Sequence, residues 1–139
     1  MPVRLLAKSL YGLLSATFLL AGAGVLLLGT GLLPGAVRDM IETIGRGNGN
    51  TLHIMQEFGS LLVFVGLITF WFIWHYDQSR AFHWAMTAFW GLIALVHWFD
   101  IRGSSGSVVG PLINTAPLAL FLVIGLLRAR ADGKPQPAG

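Results

Sequence analysis

Four long apolar runs, separated by short polar segments, constrain the fold of this chain more than any other feature of its sequence. The runs cover about residues 6–28, 52–75, 81–99 and 111–127, and about 20 apolar residues are enough to cross a bilayer as a helix. Hydrophobic residues make up 55% of the 139 residues and charged residues only 11%, too few to cover a water-soluble domain. The sequence therefore predicts an all-α, polytopic membrane protein, a single membrane domain with four spans.

Small residues in the first run predict close packing against another helix. The run contains Gly12 and then four small residues in succession, Ala21 to Gly24. Glycine and alanine allow two helix backbones in a membrane to approach each other closely. We interpret the run as a retained span rather than a cleaved secretory signal, because its apolar residues continue beyond the small residues to Leu33.

The segment between the first two spans has the pattern of a short amphipathic helix at about residues 36–45. Pro34 suits the start of a helix, and the Gly- and Asn-rich residues 45–50 end it. Apolar side chains at helical spacing predict that this helix lies at the membrane surface, namely Val37, Met40, Ile41 and Ile44. The short connections predict an antiparallel four-helix bundle, and the polar tail of residues 131–139 is expected to be flexible.

The basic residues predict the orientation of the chain in the membrane. Six of the nine flank the spans on one side, namely Arg4, Lys8, Arg80, Arg128, Arg130 and Lys134. Because basic residues are enriched in cytoplasmic segments, we expect both termini and the turn at residues 77–80 to be cytoplasmic. The basic residues are scattered along the chain, which argues against nucleic acid as a partner, since a nucleic-acid-binding face needs them clustered.

Two histidines and two carboxylates form the candidate site: His53 and Glu57 begin the second span, and His97 and Asp100 end the third. The spacings of four and three residues keep each pair on one helical face, and an up-and-down bundle brings both pairs to its outer end. Imidazole and carboxylate are ligands for Zn, Fe, Mn and Cu(II), and cysteine is absent from the chain. Three interpretations are open: an interfacial hydrogen-bond or ion-pair cluster, a small-molecule or proton-handling pocket, and a metal site.

The other two histidines, His75 and His83, are predicted to be boundary residues at the cytoplasmic ends of the same two spans. A pair of haems stacked between these spans would need matching histidine spacings on both helices. His53 and His75 are separated by about 33 Å of helix, whereas His83 and His97 are separated by about 21 Å. This mismatch argues against a pair of haems.

The pattern as a whole resembles the small bacterial four-helix membrane proteins of the DoxX-like group. The resemblance covers nearly the whole chain and lies in the turn of Gly31 to Pro34, the Gly/Asn-rich residues 47–50, Phe58 to Ser60, and the end of the third span at His97 to Asp100. It implies a DoxX-like fold and a bacterial inner membrane. For activity it implies only a loose association with quinol-oxidising complexes.

Two functions of different classes follow from these patterns. Our leading hypothesis is a non-catalytic accessory or scaffolding subunit, in contact with the bilayer and with other membrane subunits or further copies of itself, because the distinctive residues are packing and anchoring types. The chain shows no nucleophile motif and no phosphate-binding loop, so we expect no catalytic residues. The cofactor stays open: none is the leading expectation, and a single metal ion or a quinone is the alternative. The alternative is a metal- or quinone-binding redox or proton-handling protein, with its site at the outer ends of spans two and three.

Overall fold

Five helices account for most of the chain. The computed structural model describes residues 3–28, 30–44, 51–99 and 108–132, with the side chains of residues 42–44, 51–53 and 132 outside that description. The helices are α1 (Val3–Leu26), α2 (Gly35–Ile44), α3 (Thr51–Trp74), α4 (Arg80–Phe99) and α5 (Val109–Asp132). No strand occurs within the described ranges, and the all-α prediction is therefore confirmed.

The four long helices have the dimensions and surface of membrane spans. They contain 24, 24, 20 and 24 residues, and a helix of 20 residues is about 30 Å long, the thickness of the hydrocarbon core. Each is long and apolar enough to cross a membrane. Large apolar side chains also face outward, such as Leu20 at 75% and Phe99 at 78% exposure. A surface of this kind is stable against lipid, which confirms the prediction of a polytopic membrane protein with four spans.

The short helix α2 lies between the first two spans, as predicted. Gly31 turns the chain with a φ of 76°, in the left-handed region that favours glycine. The Pro34 carbonyl then accepts hydrogen bonds from the amides of Val37 and Arg38, each at 3.0 Å, and this begins the helix. Both side chains are exposed, and Arg38 pairs with Asp39, so α2 presents much of its surface outward.

The chain divides into two compact units, each with its own packing. The continuous unit consists of residues 12–71, and the split unit consists of residues 1–11 together with 72–139. In the continuous unit, a methyl group on Gly22 of α1 would lie 2.7 Å from the Gly59 carbonyl oxygen and 2.8 Å from the Val63 amide of α3. The predicted close approach of a neighbouring helix is therefore confirmed at Gly22, whereas Ala21 and Ala23 are exposed.

Polar contacts reinforce the packing of α1 against α3 in the continuous unit. The Ser15 hydroxyl donates to the Gly66 carbonyl at 2.9 Å, and both residues are buried. Near the end of α1, the Gln56 side chain donates to the Leu28 carbonyl at 3.1 Å. Helix ends leave carbonyls without partners inside the helix, so Gln56 from α3 satisfies one of them.

The split unit combines the start of α1, the end of α3, and all of α4 and α5. Helices α4 and α5 are antiparallel: Trp98 donates to the Thr115 hydroxyl at 2.9 Å, while His83, near the other end of α4, faces Gly125 of α5. The turn after α3 is closed by the Ser79 amide, which donates to the His75 carbonyl at 2.9 Å. Segments of all four spans therefore pack together within this unit, in agreement with the predicted bundle.

Candidate functional site

The structure describes only part of the predicted metal set. The side chain of His53 and all of Asp100 lie outside the described residues. Glu57 is exposed on α3, and His97 is half-buried on α4. The His97 Nδ1 donates to the Ile93 carbonyl at 2.9 Å, which leaves Nε2 as the acceptor atom of a neutral ring. Among the described residues, no three His, Asp or Glu side chains are grouped to hold a metal ion, and the four-residue set stays a prediction.

A buried polar network occupies the interior of the split unit instead. Its members come from α1, from the turn after α3, from α4 and from α5, and all are at most 4% exposed: Tyr11, Tyr76, Ser79, His83 and Arg128. Polar side chains inside membrane spans are costly unless they are paired with one another. These five residues therefore form the strongest candidate site in the described part of the chain.

Arg128 is the cation at the centre of the network. Its Nη1 donates to the Tyr11 hydroxyl at 3.1 Å and to the Ser79 hydroxyl at 3.2 Å, and its Nη2 donates to the Tyr76 carbonyl. The Ser79 hydroxyl donates to the same carbonyl at 3.0 Å. This carbonyl belongs to the turn that follows α3, where partial negative charge favours a cation. Arg128 of α5 therefore bonds to α1 and to the turn between α3 and α4.

A short hydrogen bond between Tyr11 and His83 extends the network to α4. The Tyr11 Oη lies 2.6 Å from the His83 Nδ1. Arginine has only donors, so within the network the Tyr11 proton has one acceptor, His83 Nδ1. The bonds therefore run in one direction, from Arg128 to Tyr11 to His83. A neutral His83 ring then carries its proton on Nε2.

The His83 Nε2 is buried and has no hydrogen-bond partner among the described residues. It faces helix α5 at Gly125, where a methyl group would lie 3.0 Å from it. The same methyl group would lie 3.0 Å from the Trp84 ring. Glycine at this position therefore leaves room for two aromatic rings of α4 beside the backbone of α5.

An aromatic shell surrounds the Tyr11 and His83 rings. Phe72 meets Tyr11 edge to face with ring centroids 5.4 Å apart, and Phe121 lies 5.8 Å from His83. Edge-to-face pairs of this kind are favourable beyond the area they bury. In such apolar surroundings an unpaired polar group costs more than it would at a surface, and the bonds of the network hold its members in fixed positions.

The carboxylates of the described chain do not reach Arg128. Asp77 pairs with Arg4 and Asp39 pairs with Arg38, whereas the bonds of Arg128 are to neutral oxygens. The Arg128 guanidinium has only donors, so its partners are oxygen acceptors, and it has no group that takes up a proton. The network is suited to holding helices together and to binding an oxygen acceptor.

His83 was predicted as a boundary residue of its span, and its burial was not foreseen. It lies in the first turn of α4, as expected from the span boundary, but its side chain is wholly buried and bonded to Tyr11. His75 is half-buried. Arg128 was predicted only as a basic flanking residue, and it too is buried.

The other three network residues, Tyr11, Tyr76 and Ser79, were not predicted as site residues. One sequence signal was available for Tyr11: a polar aromatic residue five positions inside the first predicted run, more than one helical turn from its start, where tyrosine is less common than at the interface. Comparison of the chain with protein-family models, with curated proteins and with solved structures gives no match.

Proposed function

We propose that this membrane protein is a non-catalytic accessory or scaffolding subunit of a larger membrane complex or of a homo-oligomer. The observation that carries the proposal is the buried polar network, in which the chemically versatile side chains bond to one another across four chain segments. Tyr11, His83 and Arg128 are at most 4% exposed. A catalyst needs such groups to reach its substrate, whereas a scaffold needs them to fix its helices.

The outward face of α4 supports contact with a partner. Trp84, Trp98 and Phe99 are exposed there, and aromatic side chains are enriched at the centres of protein interfaces. Helix α4 also packs on α5 through Trp98 and Thr115. The exposed aromatic residues of α4 are the surface that we assign to the partner.

The assembly state tests the proposal. We expect the protein, purified in mild detergent and measured by native mass spectrometry, to retain a second copy or further membrane subunits at fixed stoichiometry. Phe99→Ala should lower the retained fraction, whereas Leu126→Ala, on the exposed side of α5, serves as the matched control. A lone monomer in mild detergent, or equal effects of the two variants, would contradict the proposal.

We also propose that the protein lies in a bacterial inner membrane with both termini in the cytoplasm. The support is the charge at one end of the split unit, where Arg4, Lys8 and Arg130 lie on α1 and α5. We propose in addition that the chain belongs to the DoxX-like group, and the support is the sequence pattern from Gly31 to Asp100. The absence of cysteine permits a direct test, since each engineered cysteine is then the sole label site.

Labelling with a membrane-impermeant maleimide distinguishes the two orientations. Gln78 lies in the turn after α3 and Ala36 lies in α2, and both are exposed. In intact spheroplasts we expect Ala36→Cys to be labelled and Gln78→Cys to be labelled only after permeabilisation. The reverse pattern would contradict the proposed orientation.

A second candidate function, quinone binding or proton handling, rests on His83 Nε2, a buried donor without a partner among the described residues. A quinone carbonyl is an acceptor for such a donor. Trp84, whose ring centroid lies 5.2 Å from that of His83, provides a fluorescence signal for the test.

For this candidate, a short-chain quinone should quench the fluorescence saturably. The quenching should be lost in Gly125→Ala, whose methyl group would crowd Nε2 at 3.0 Å, and kept in Gly91→Ala, where a methyl group meets its nearest atom at 3.8 Å. Quenching without saturation would contradict quinone binding at His83 and would be compatible with the scaffold function.

A further inference from the structure

Three cationic side chains lie close to the ring of Tyr76 at one end of the split unit. The guanidinium carbons of Arg128 and Arg4 lie 4.3 and 5.1 Å from the ring centroid, and the Lys8 ammonium lies 5.9 Å from it. Each is within the distance at which a cation is attracted to an aromatic face. Tyr76 itself is 3% exposed, so it lies beneath the cations rather than among solvent.

The charges of this cluster do not balance. Asp77 pairs with Arg4, and the bonds of Arg128 are to neutral oxygens. Within the described residues, Lys8 makes no ion pair. Three cations and one carboxylate leave an excess of positive charge, which attracts an anion from outside the protein.

The position of the cluster identifies the anion. Arg4 and Lys8 lie in the first two turns of α1, Tyr76 lies in the turn after α3, and Arg128 lies in the last turns of α5. These are the ends of membrane spans, which lie at the level of the lipid headgroups. Basic residues between spans at this level bind the headgroups of anionic lipids.

Arg4 and Lys8 are arranged to meet such a headgroup. They are four residues apart on α1 and therefore share one face of that helix. Arg4 is exposed and Lys8 is half-buried, whereas Arg128 is buried behind them. Leu5 and Leu126, exposed on α1 and α5, supply apolar surface for acyl chains on the same helices.

We propose that Arg4 and Lys8, supported by Arg128 and Tyr76, bind the phosphate of an anionic phospholipid. Lys8 provides an ammonium that makes no ion pair within the described residues. Arg4 provides a guanidinium that it shares with Asp77, and the buried Arg128 adds positive charge. The proposal does not depend on a scaffold function, because the site lies at the lipid boundary.

Lipid retention measured by native mass spectrometry tests the site. The full chain is purified in mild detergent and mixed with phosphatidylglycerol or, separately, phosphatidylcholine. We expect phosphatidylglycerol to be retained preferentially and Lys8→Gln to reduce its retention about five-fold, which corresponds to about 1 kcal/mol per basic residue at an anionic surface. Lys8→Arg, which keeps the charge, should retain the lipid.

Arg130→Gln is the matched control, since Arg130 is exposed at the same end of α5 and its loss changes the net charge equally. Any of these results would overturn the proposal: equal retention of the two lipids, unchanged retention in Lys8→Gln, or an equal loss in Arg130→Gln. Displacement of the lipid by millimolar inorganic phosphate, with the free ion retained in its place, would also overturn it.

Discussion

The hydroxyl of Tyr11 lies 2.6 Å from the Nδ1 of His83, and the two residues are separated by 72 positions in the chain. This bond joins the first span to the third across the interior of the split unit. The Arg128 guanidinium, 3.1 Å from the same hydroxyl, adds the fourth span. A hydroxyl that accepts one bond and donates the other fixes both neighbours at once, which makes Tyr11 the most direct point at which to test the network.

Tyr11→Phe should destabilise the protein by about 1–3 kcal/mol, since it leaves the His83 Nδ1 and one Arg128 donor without their shared partner in a buried site. Unfolding in mixed micelles with increasing SDS measures this loss. Thr17→Val is the control, because the Thr17 hydroxyl bonds only to the Leu13 carbonyl of its own helix and is exposed. A Tyr11→Phe variant as stable as Thr17→Val would contradict the role of the network.

Arg128→Lys should lower the stability by about 2–3 kcal/mol although it preserves the charge. A lysine ammonium is a single point charge, whereas the arginine fork bonds to Tyr11, Ser79 and the Tyr76 carbonyl together. The same SDS titration of Arg130→Lys, at an exposed position, should change stability by no more than about 0.5 kcal/mol. Equal values for the two variants would show that charge alone matters at Arg128.

Gly125→Ala and Gly91→Ala form a matched pair within the split unit. A methyl group at Gly125 meets the His83 Nε2 and the Trp84 ring at 3.0 Å, whereas at Gly91 its nearest neighbour is Leu118 at 3.8 Å. Replacing a helical glycine by alanine favours the helix by about 1 kcal/mol, but crowding of two rings costs about 1–3 kcal/mol. We expect Gly91→Ala to be neutral or stabilising and Gly125→Ala to be clearly less stable, as measured by thermal denaturation in detergent.

Gly22→Ala should separate α1 from α3 in the continuous unit. The added methyl group would lie 2.7 Å from the Gly59 carbonyl oxygen and 2.8 Å from the Val63 amide, and backbone atoms cannot move aside as a flexible side chain can. We expect a loss of about 2–3 kcal/mol or more. Gly35→Ala, where an added methyl group has no atom within 4 Å, is the control. Unfolding of both variants in mixed micelles with increasing SDS measures the loss, and equal stability of the two would contradict the close contact.

The sequence was sufficient to predict the membrane class and the positions of the helices. Apolar runs long enough to cross a bilayer predict spans by length and composition alone, and the observed helices Val3–Leu26 and Arg80–Phe99 lie within a few residues of the predicted runs at 6–28 and 81–99. The small residues of α1 likewise predict a close helix contact. The sequence pattern allows several small residues of α1 to make this contact, and in the structure Gly22 makes it.

The candidate site, in contrast, depended on the tertiary structure. The sequence directed attention to His53, Glu57, His97 and Asp100, and this set stays a prediction because His53 and Asp100 lie outside the described side chains. A hydropathy pattern assigns a basic residue or a histidine at the end of a span to the flanking region, whichever way its side chain points. Arg128 and His83 were predicted as flanking residues for this reason, and both side chains are buried.

The sequence by itself thus determined that the chain forms four helices able to span a membrane and a short helix between the first two, because the hydrophobic effect and backbone hydrogen bonding act on each segment locally. Only the tertiary structure decided that Tyr11, His83 and Arg128 meet, because that contact depends on the rotation of three helices about their own axes. A rotation of one helix by half a turn would leave its hydropathy unchanged and would turn its polar side chain to lipid. The packing of rings and glycines around the network, with Gly125 against His83 and Phe72 against Tyr11, holds those rotations in place.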